Sequence, residues 1–172
     1  RSSNPPQPDF AQSNPFGTLA LQHFSAGAAS DCQHTTATST STASCNCLLF
    51  AYDHPGVSAD SGELVQTVAS GELSGYRLNG GQIEYKRSGT AFSCTEGEWS
   101  ALTPSLLHVT QLEFELTGQP PVTIAGSDGS ASVGNISKRS VTVRLGATLA
   151  GQTGASKTIS DSFDIRNDHL SN

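Results

Sequence analysis

Tyr76-Arg77-Leu78-Asn79-Gly80-Gly81-Gln82-Ile83-Glu84-Tyr85-Lys86-Arg87 reads as a β-hairpin. Side chains alternate across a strand, so Tyr76 and Leu78 share one face and Ile83 and Tyr85 share the other strand's matching face. Between them Asn79 and Gly80 tolerate the positive φ angles of a tight reversal. The same period recurs on both sides. Upstream, Leu48-Leu49-Phe50-Ala51-Tyr52 is a short apolar run closed by Asp53-His54-Pro55-Gly56, the pattern of a buried strand entering a polar turn. Downstream, Leu112, Phe114 and Leu116 alternate with Gln111, Glu113 and Glu115, so residues 110–117 can face a core and keep their carboxylates wet. Val122 with Ile124, then Val141, Val143 and Leu145, repeat the pattern. Ile159, Phe163 and Ile165 predict a final strand, with Ser160-Asp161-Ser162 disturbing its phase as a bulge would. Residues 17–29, GTLALQHFSAGAA, read as a short apolar helix weakened by Gly27. At least five largely antiparallel strands with this small helical contribution make the class α+β.

The chain has 172 residues and 17.8 kDa, enough for one substantial core and short for two. One domain over residues 1–172 is expected, with residues 1–16 irregular because Pro5, Pro6, Pro8 and Pro15 interrupt any helix there. Only 14% of the side chains are charged, against 25 Ser and 17 Thr, which excludes a long charged helix or coiled coil. The balance of 9 Lys plus Arg against 15 Asp plus Glu gives a net charge of -6 with no basic run, so direct nucleic-acid binding is not expected. No apolar run reaches the roughly 18 to 20 residues that cross a bilayer. The chain begins at Arg1 without an initiator Met, as a mature or truncated protein would.

The four cysteines are Cys32, Cys45, Cys47 and Cys94. An even count in a small polar domain fits disulfides formed in an oxidising compartment. If Cys45-Asn46-Cys47 is extended, the two thiols point to the same side and are poorly placed to bond to each other. Their partners are then Cys32 and Cys94, in either order. A zinc set of Cys32, His34, Cys45 and Cys47 lacks the C-x2-C spacing of structural zinc sites. The Ser- and Thr-rich stretch between Cys32 and Cys45 reads as a surface loop tied at both ends, with mucin-like glycosylation as a compositional alternative.

Catalytic residue types are present without a catalytic pattern, so no catalytic residue, metal or cofactor is expected. Asp53-His54 sits in turn chemistry with no nucleophile elbow or metalloprotease motif. Asp161, Asp164 and Asp168 could converge on a cation but read as exposed strand-end carboxylates. The Asp128 loop lacks the spaced oxygen ligands of an EF-hand. Gly80-Gly81 occupies a hairpin reversal, where no helix N-terminus offers amides to a phosphate. Trp99, close to Cys94, reads as a packing anchor or as an aromatic partner contact. Arg166 and Asn167 read as organisers of a subunit edge or as a strand cap.

In order along the chain, Cys45 through Asp53, Gly75-Tyr76-Arg77-Leu78 with Ile83-Glu84-Tyr85, Cys94 through Trp99, Leu102-Thr103-Pro104 and Leu112-Glu113-Phe114 resemble a minor type IV pilin of the W or prepilin-peptidase-dependent B kind. Val141-Thr142-Val143-Arg144-Leu145 and Phe163-Asp164-Ile165-Arg166-Asn167 are similar to that family and to the related J pseudopilin of type II secretion. The resemblance implies a pilin-like globular head with a truncated or short N-terminal helix. It also implies a precursor anchored in the bacterial inner membrane by an apolar helix absent from this chain. The head then faces the periplasm before assembly and reaches the pilus tip and cell surface afterwards. Its implied partners are other minor pilins or pseudopilins and the pilus assembly machinery. On this reading residues 35–44 and 126–137 are specificity loops on a rigid sheet, while Tyr76, Phe114 and Val143 are scaffold. Two other functions are weighed: a secreted carbohydrate-binding β-domain, which needs an exposed aromatic platform or a convergent polar groove, and a small extracellular hydrolase around His54 or His108.

Overall fold

The computed structural model describes residues 19–33, 45–52, 70–118, 122–124, 134–149 and 155–171. The hairpin forms with its tip moved by one residue. Leu73–Asn79 (β4) and Gln82–Ser88 (β5) pair with Tyr76 opposite Tyr85 and Leu78 opposite Ile83. The turn is Gly80-Gly81, with φ of 56° and 79°, while Asn79 stays in the ladder opposite Gln82. Two successive positive φ angles are what a two-residue reversal of twisted strands requires. At Gly81 a Cβ would also overlap the His108 ring.

The expected helix over residues 17–29 is corrected across its described part. Leu19–Ser25 (β1) and Ala28–Gln33 (β2) are strands joined by Ala26-Gly27, both at positive φ. Gly27 is thus the pivot of a second hairpin rather than a weak helical position. Leu19-Ala20-Leu21-Gln22 alternates, and burial at Leu21 and Phe24 favours the sheet over helix propensity. Residues 1–18 lie outside the described residues.

Cys47–Ala51 (β3) and Glu98–Ala101 (β6) complete a six-stranded sheet in the order β2-β1-β3-β4-β5-β6. A second sheet holds Leu107–Gly118 (β7), Val122–Ile124 (β8), Gly134–Leu149 (β9) and Ser156–Ser171 (β10), in the order β10-β9-β7 with β8 beside β9. Every pairing is antiparallel. The bulge expected at residues 160–162 is not there. The β10 ladder is unbroken from Ser156 to Ile165, and the register shifts between Ile165 and His169.

The main core lies between the sheets, where Leu21, Leu48 and Ile83 meet Val109, Leu112, Phe114, Leu116 and Val141. Burying each such side chain contributes about 1.5–3 kcal/mol. A second cluster covers the far face of the six-stranded sheet: Phe24, Cys47, Leu49 and Cys94, flanked by Phe92 and Trp99.

Cys45-Asn46-Cys47 joins all of this. The expected common side for the two thiols is corrected, because a bend at Asn46 sends Cys45 into the inter-sheet core and Cys47 into the outer cluster. The disulfides are Cys32–Cys45 and Cys47–Cys94, with Cα separations of 6.1 and 6.4 Å. Cys32 is the residue that a β1–β2 bulge leaves out of the ladder, between the pairs Leu21–Gln33 and Gln22–Asp31. A bulge re-aims a side chain, and here it accompanies a Cys32 that packs against the inter-sheet core. Continued two residues past Gln22–Cys47, the β1–β3 register would place Phe24 opposite Cys45. Cys45 instead exchanges backbone bonds with Phe114 of the second sheet, and the Asn46 side-chain amide takes its place. Phe24 N–H donates to Asn46 Oδ1 at 2.6 Å and Asn46 Nδ2 donates to the Phe24 carbonyl at 2.8 Å.

On the outer face, Lys86 is only 3% exposed. Its ammonium donates to the carbonyls of Ala91, Ser93 and Glu96 at 3.2, 2.9 and 2.7 Å. One cation therefore gathers the loop that carries Cys94. Beside it the Arg77 guanidinium lies between the Phe24 and Trp99 rings, 4.3 and 4.2 Å from their centroids, and pairs with Glu84 at 2.7 Å. Both cations keep hydrogen-bond partners, which is the condition for burying charge without a large penalty.

Asn46→Ala leaves the Phe24 N–H and C=O without their partners and is expected to lower unfolding free energy by about 2–3 kcal/mol, read as a shift in urea midpoint. Burial, with Arg77 adding to it and Glu96 opposing it, holds the Lys86 ammonium below its ordinary pKa of 10.5. Between that lowered value and 10.5 the unfolded chain binds more protons than the native one, so this group makes stability rise with pH across the interval. Lys86→Met should remove that part of the pH slope and lower stability at neutral pH by about 3 kcal/mol or more, since three carbonyls lose their donor. Urea titrations of both proteins from neutral to alkaline pH check both outcomes.

Candidate interaction surface

The two sheets do not overlap over their full width. Along β9 and β10, Val141, Val143 and Leu145 stand opposite Phe163, Asp161 and Ile159, so the core-facing row of the second sheet continues onto β10. Phe163 is nevertheless 56% exposed and Ile159 51%. An open groove of about 580 Å³ results. One wall is Phe50, Tyr52 and Tyr76; the other is Val143, Phe163 and Ile165. The Phe50 ring is tilted against both Tyr52 and Tyr76, at centroid separations of 6.4 Å. Arg139 brings charge to an otherwise apolar lining. Such a surface can hold apolar groups of a partner or ligand.

The sequence-derived candidates scatter over the fold. Trp99 is half-buried on β6, its ring face under Arg77 and its Nε1 donating to the Glu96 carbonyl at 3.0 Å. Arg166 and Asn167 belong to β10, in the interval where the ladder with β9 shifts. Trp99 and the Arg166–Asn167 pair therefore stand on different sheets. Tyr76, expected as scaffold, is 38% exposed on the groove wall, whereas Phe114 is buried. Asp161 and Asp164 are three residues apart in an unbroken ladder, so they point to opposite faces and do not converge. Among the described residues no three His, Cys, Asp or Glu form a metal-holding group. His108 is exposed on β7 beneath the hairpin tip, where Val109 N–H donates to the Gly81 carbonyl. His54, residues 35–44 and the Asp128 loop lie outside the described residues, as does the side chain of Asp168. The expected loop at residues 126–137 gives way to β9 from Gly134 onward.

Sequence reading missed the groove, although one signal was present. Lys157 and Asp161 interrupt the apolar row of Ile159, Phe163 and Ile165, and charges on a core-facing row mark a face that stays open to water. Phe114→Ala should cost about 3–5 kcal/mol as a core truncation, whereas Phe163→Ser or Tyr76→Ser should cost about 1 kcal/mol or less. Chemical denaturation of the three variants separates core from groove.

Among the described residues no helix is long and apolar enough to cross a membrane. No curated protein and no solved structure matches the chain. The family model described as prepilin peptidase-dependent protein B matches residues 11–165. That span takes in all four cysteines, the hairpin, the groove and the β9–β10 ladder as far as Ile165. The chain therefore belongs to the prepilin-peptidase-dependent protein B family.

Proposed function

We propose that this chain is the head of a minor type IV pilin that helps initiate pilus assembly and occupies a tip-associated complex of minor subunits. The observation that carries the reading is the family match over residues 11–165. Proteins of this family are structural and non-catalytic. Two disulfides suit an extracytoplasmic head that works after export. The open groove supports a role in assembly, because its exposed aromatic wall suits burial against another minor pilin or pseudopilin. Kinship with the J pseudopilin of type II secretion belongs to the same reading. So does anchoring of the precursor in the inner membrane by an apolar helix outside this chain, with passage to the cell surface on assembly. Trp99, Arg166 and Asn167 remain proposed contacts, secondary to the groove.

The carbohydrate-binding alternative needs an aromatic platform. The chain's one Trp has Arg77 over its ring and its N–H committed to Glu96, which leaves that alternative without support from this residue.

Co-purification of the full-length precursor with the other minor subunits, together with piliation of a deletion strain, tests the proposal. Association and loss of pili are expected. Tyr52→Asp with Tyr76→Asp should weaken association about thirtyfold, as removal of aromatic anchors does, while leaving the denaturation midpoint nearly unchanged. Normal piliation with no association with any other minor pilin would overturn the reading.

A further inference from the structure

The outer edge of β10 pairs with no strand among the described residues. Its ladder to β9 is continuous from Ser156 to Ile165, and the side chains from Ser156 to Asp164 are exposed. A long, regular edge with apolar side chains is a template for another strand. Which strand it fits can be read from its own residues. The groove-side row is Lys157, Ile159, Asp161 and Phe163; the opposite row is Ser156, Thr158, Ser160 and Ser162.

We infer that β10 pairs antiparallel with β10 of a second copy, about a two-fold axis at Ile159. In that register Lys157 of each copy faces Asp161 of the other, so two ion pairs flank the axis. Ile159 meets its own equivalent, and Phe163 lies over the small Ala155. On the opposite row Ser156 faces Ser162 and Thr158 faces Ser160, hydroxyl against hydroxyl. Directly opposed opposite charges and matched polar pairs stabilise antiparallel strands, and like charges destabilise them. Neighbouring registers fail on this criterion. An axis at Asp161 sets that carboxylate against itself, and an axis at Ser160 sets Lys157 against Phe163.

The consequence is a sheet continuous across both copies, in the order β7-β9-β10-β10-β9-β7. An isologous contact of this kind closes on itself and leaves no free β10 edge to propagate. It gives Ile159 and Phe163, exposed in the single chain, apolar neighbours across the axis. The inference rests on the pattern of β10 alone and stands whether or not the partners of the groove are pilins.

Sedimentation equilibrium of the 172-residue chain should show a reversible dimer. Lys157→Asp or Asp161→Lys alone should raise its dissociation constant about tenfold, through two like-charge contacts. The double exchange Lys157→Asp with Asp161→Lys should restore it, which a merely damaged fold would not do. Under mild oxidation Ile159→Cys should crosslink to its own equivalent, while Phe163→Cys should not. A chain that stays monomeric, single exchanges without effect, failure of the double exchange to restore, or association only with a different protein would each overturn the inference.

Discussion

The bend at Cys45-Asn46-Cys47 is the constraint on which the rest depends. Three adjacent residues bind three parts of the molecule, and the Cys45 contact with the second sheet and the Asn46 side-chain contact with Phe24 would be lost in a straight strand. Cys45 leaves the six-stranded sheet to exchange backbone bonds with Phe114, tying the second sheet to the first. Asn46 fills the vacated ladder position beside Phe24 with its side-chain amide, and its carbonyl still accepts from Leu78 N–H. Cys47 resumes β3 and is crosslinked to Cys94 on the outer face. The disulfides close loops with sequence separations of 13 and 47 residues. In a chain-entropy account those closures contribute about 3 and 4 kcal/mol, comparable to a large share of a small domain's net stability.

The outer cluster shows how a polar segment can be held without a helix. Residues 89–97 form no strand, yet they carry Cys94 and cover Cys47 and Leu49. Gln22 Oε1 accepts from Cys94 N–H at 2.8 Å. Arg77 donates to the Cys94 carbonyl. Lys86 takes three further carbonyls. Backbone groups that a sheet or helix would pair are here paired by side chains, as buried backbone requires. Gly97 turns the chain back into β6 at a φ of 84°, where a Cβ would overlap the Ser88 carbonyl.

Alternation made the sheets legible, and only the sheets. Leu112, Phe114 and Leu116 are buried on β7 as their period of two requires, and the Tyr76–Tyr85 and Leu78–Ile83 pairs follow from a hairpin written in twelve residues. Residues 19–29 have helical propensity in Leu, Ala and Gln yet fold as strands, and nothing local announces that Ala26-Gly27 will reverse the chain. The resolution of the Cys45–Cys47 ambiguity was equally hidden. It turns on the bend at Asn46 and on a bulge that leaves Cys32 unpaired, both products of strand register rather than composition. The groove required one further quantity absent from any window of sequence: how far the six-stranded sheet extends over the second one.

That mismatch in width gives the molecule two unlike sides. The two crosslinks, the Lys86 and Arg77 cations and the Asn46 amide act on β1 to β5 and the loop over them, so the closed side is braced. None of them reaches β10, whose described side chains are exposed through Asp164. A domain that spent its stabilising contacts evenly would have drawn Phe163 and Ile159 into the core. Concentrating them on one side instead allows apolar groups to remain in water at the other without loss of the fold, since stability there is supplied from a distance. For a family whose members are structural rather than catalytic, that is the useful division. The braced sheet fixes where the open edge and groove stand.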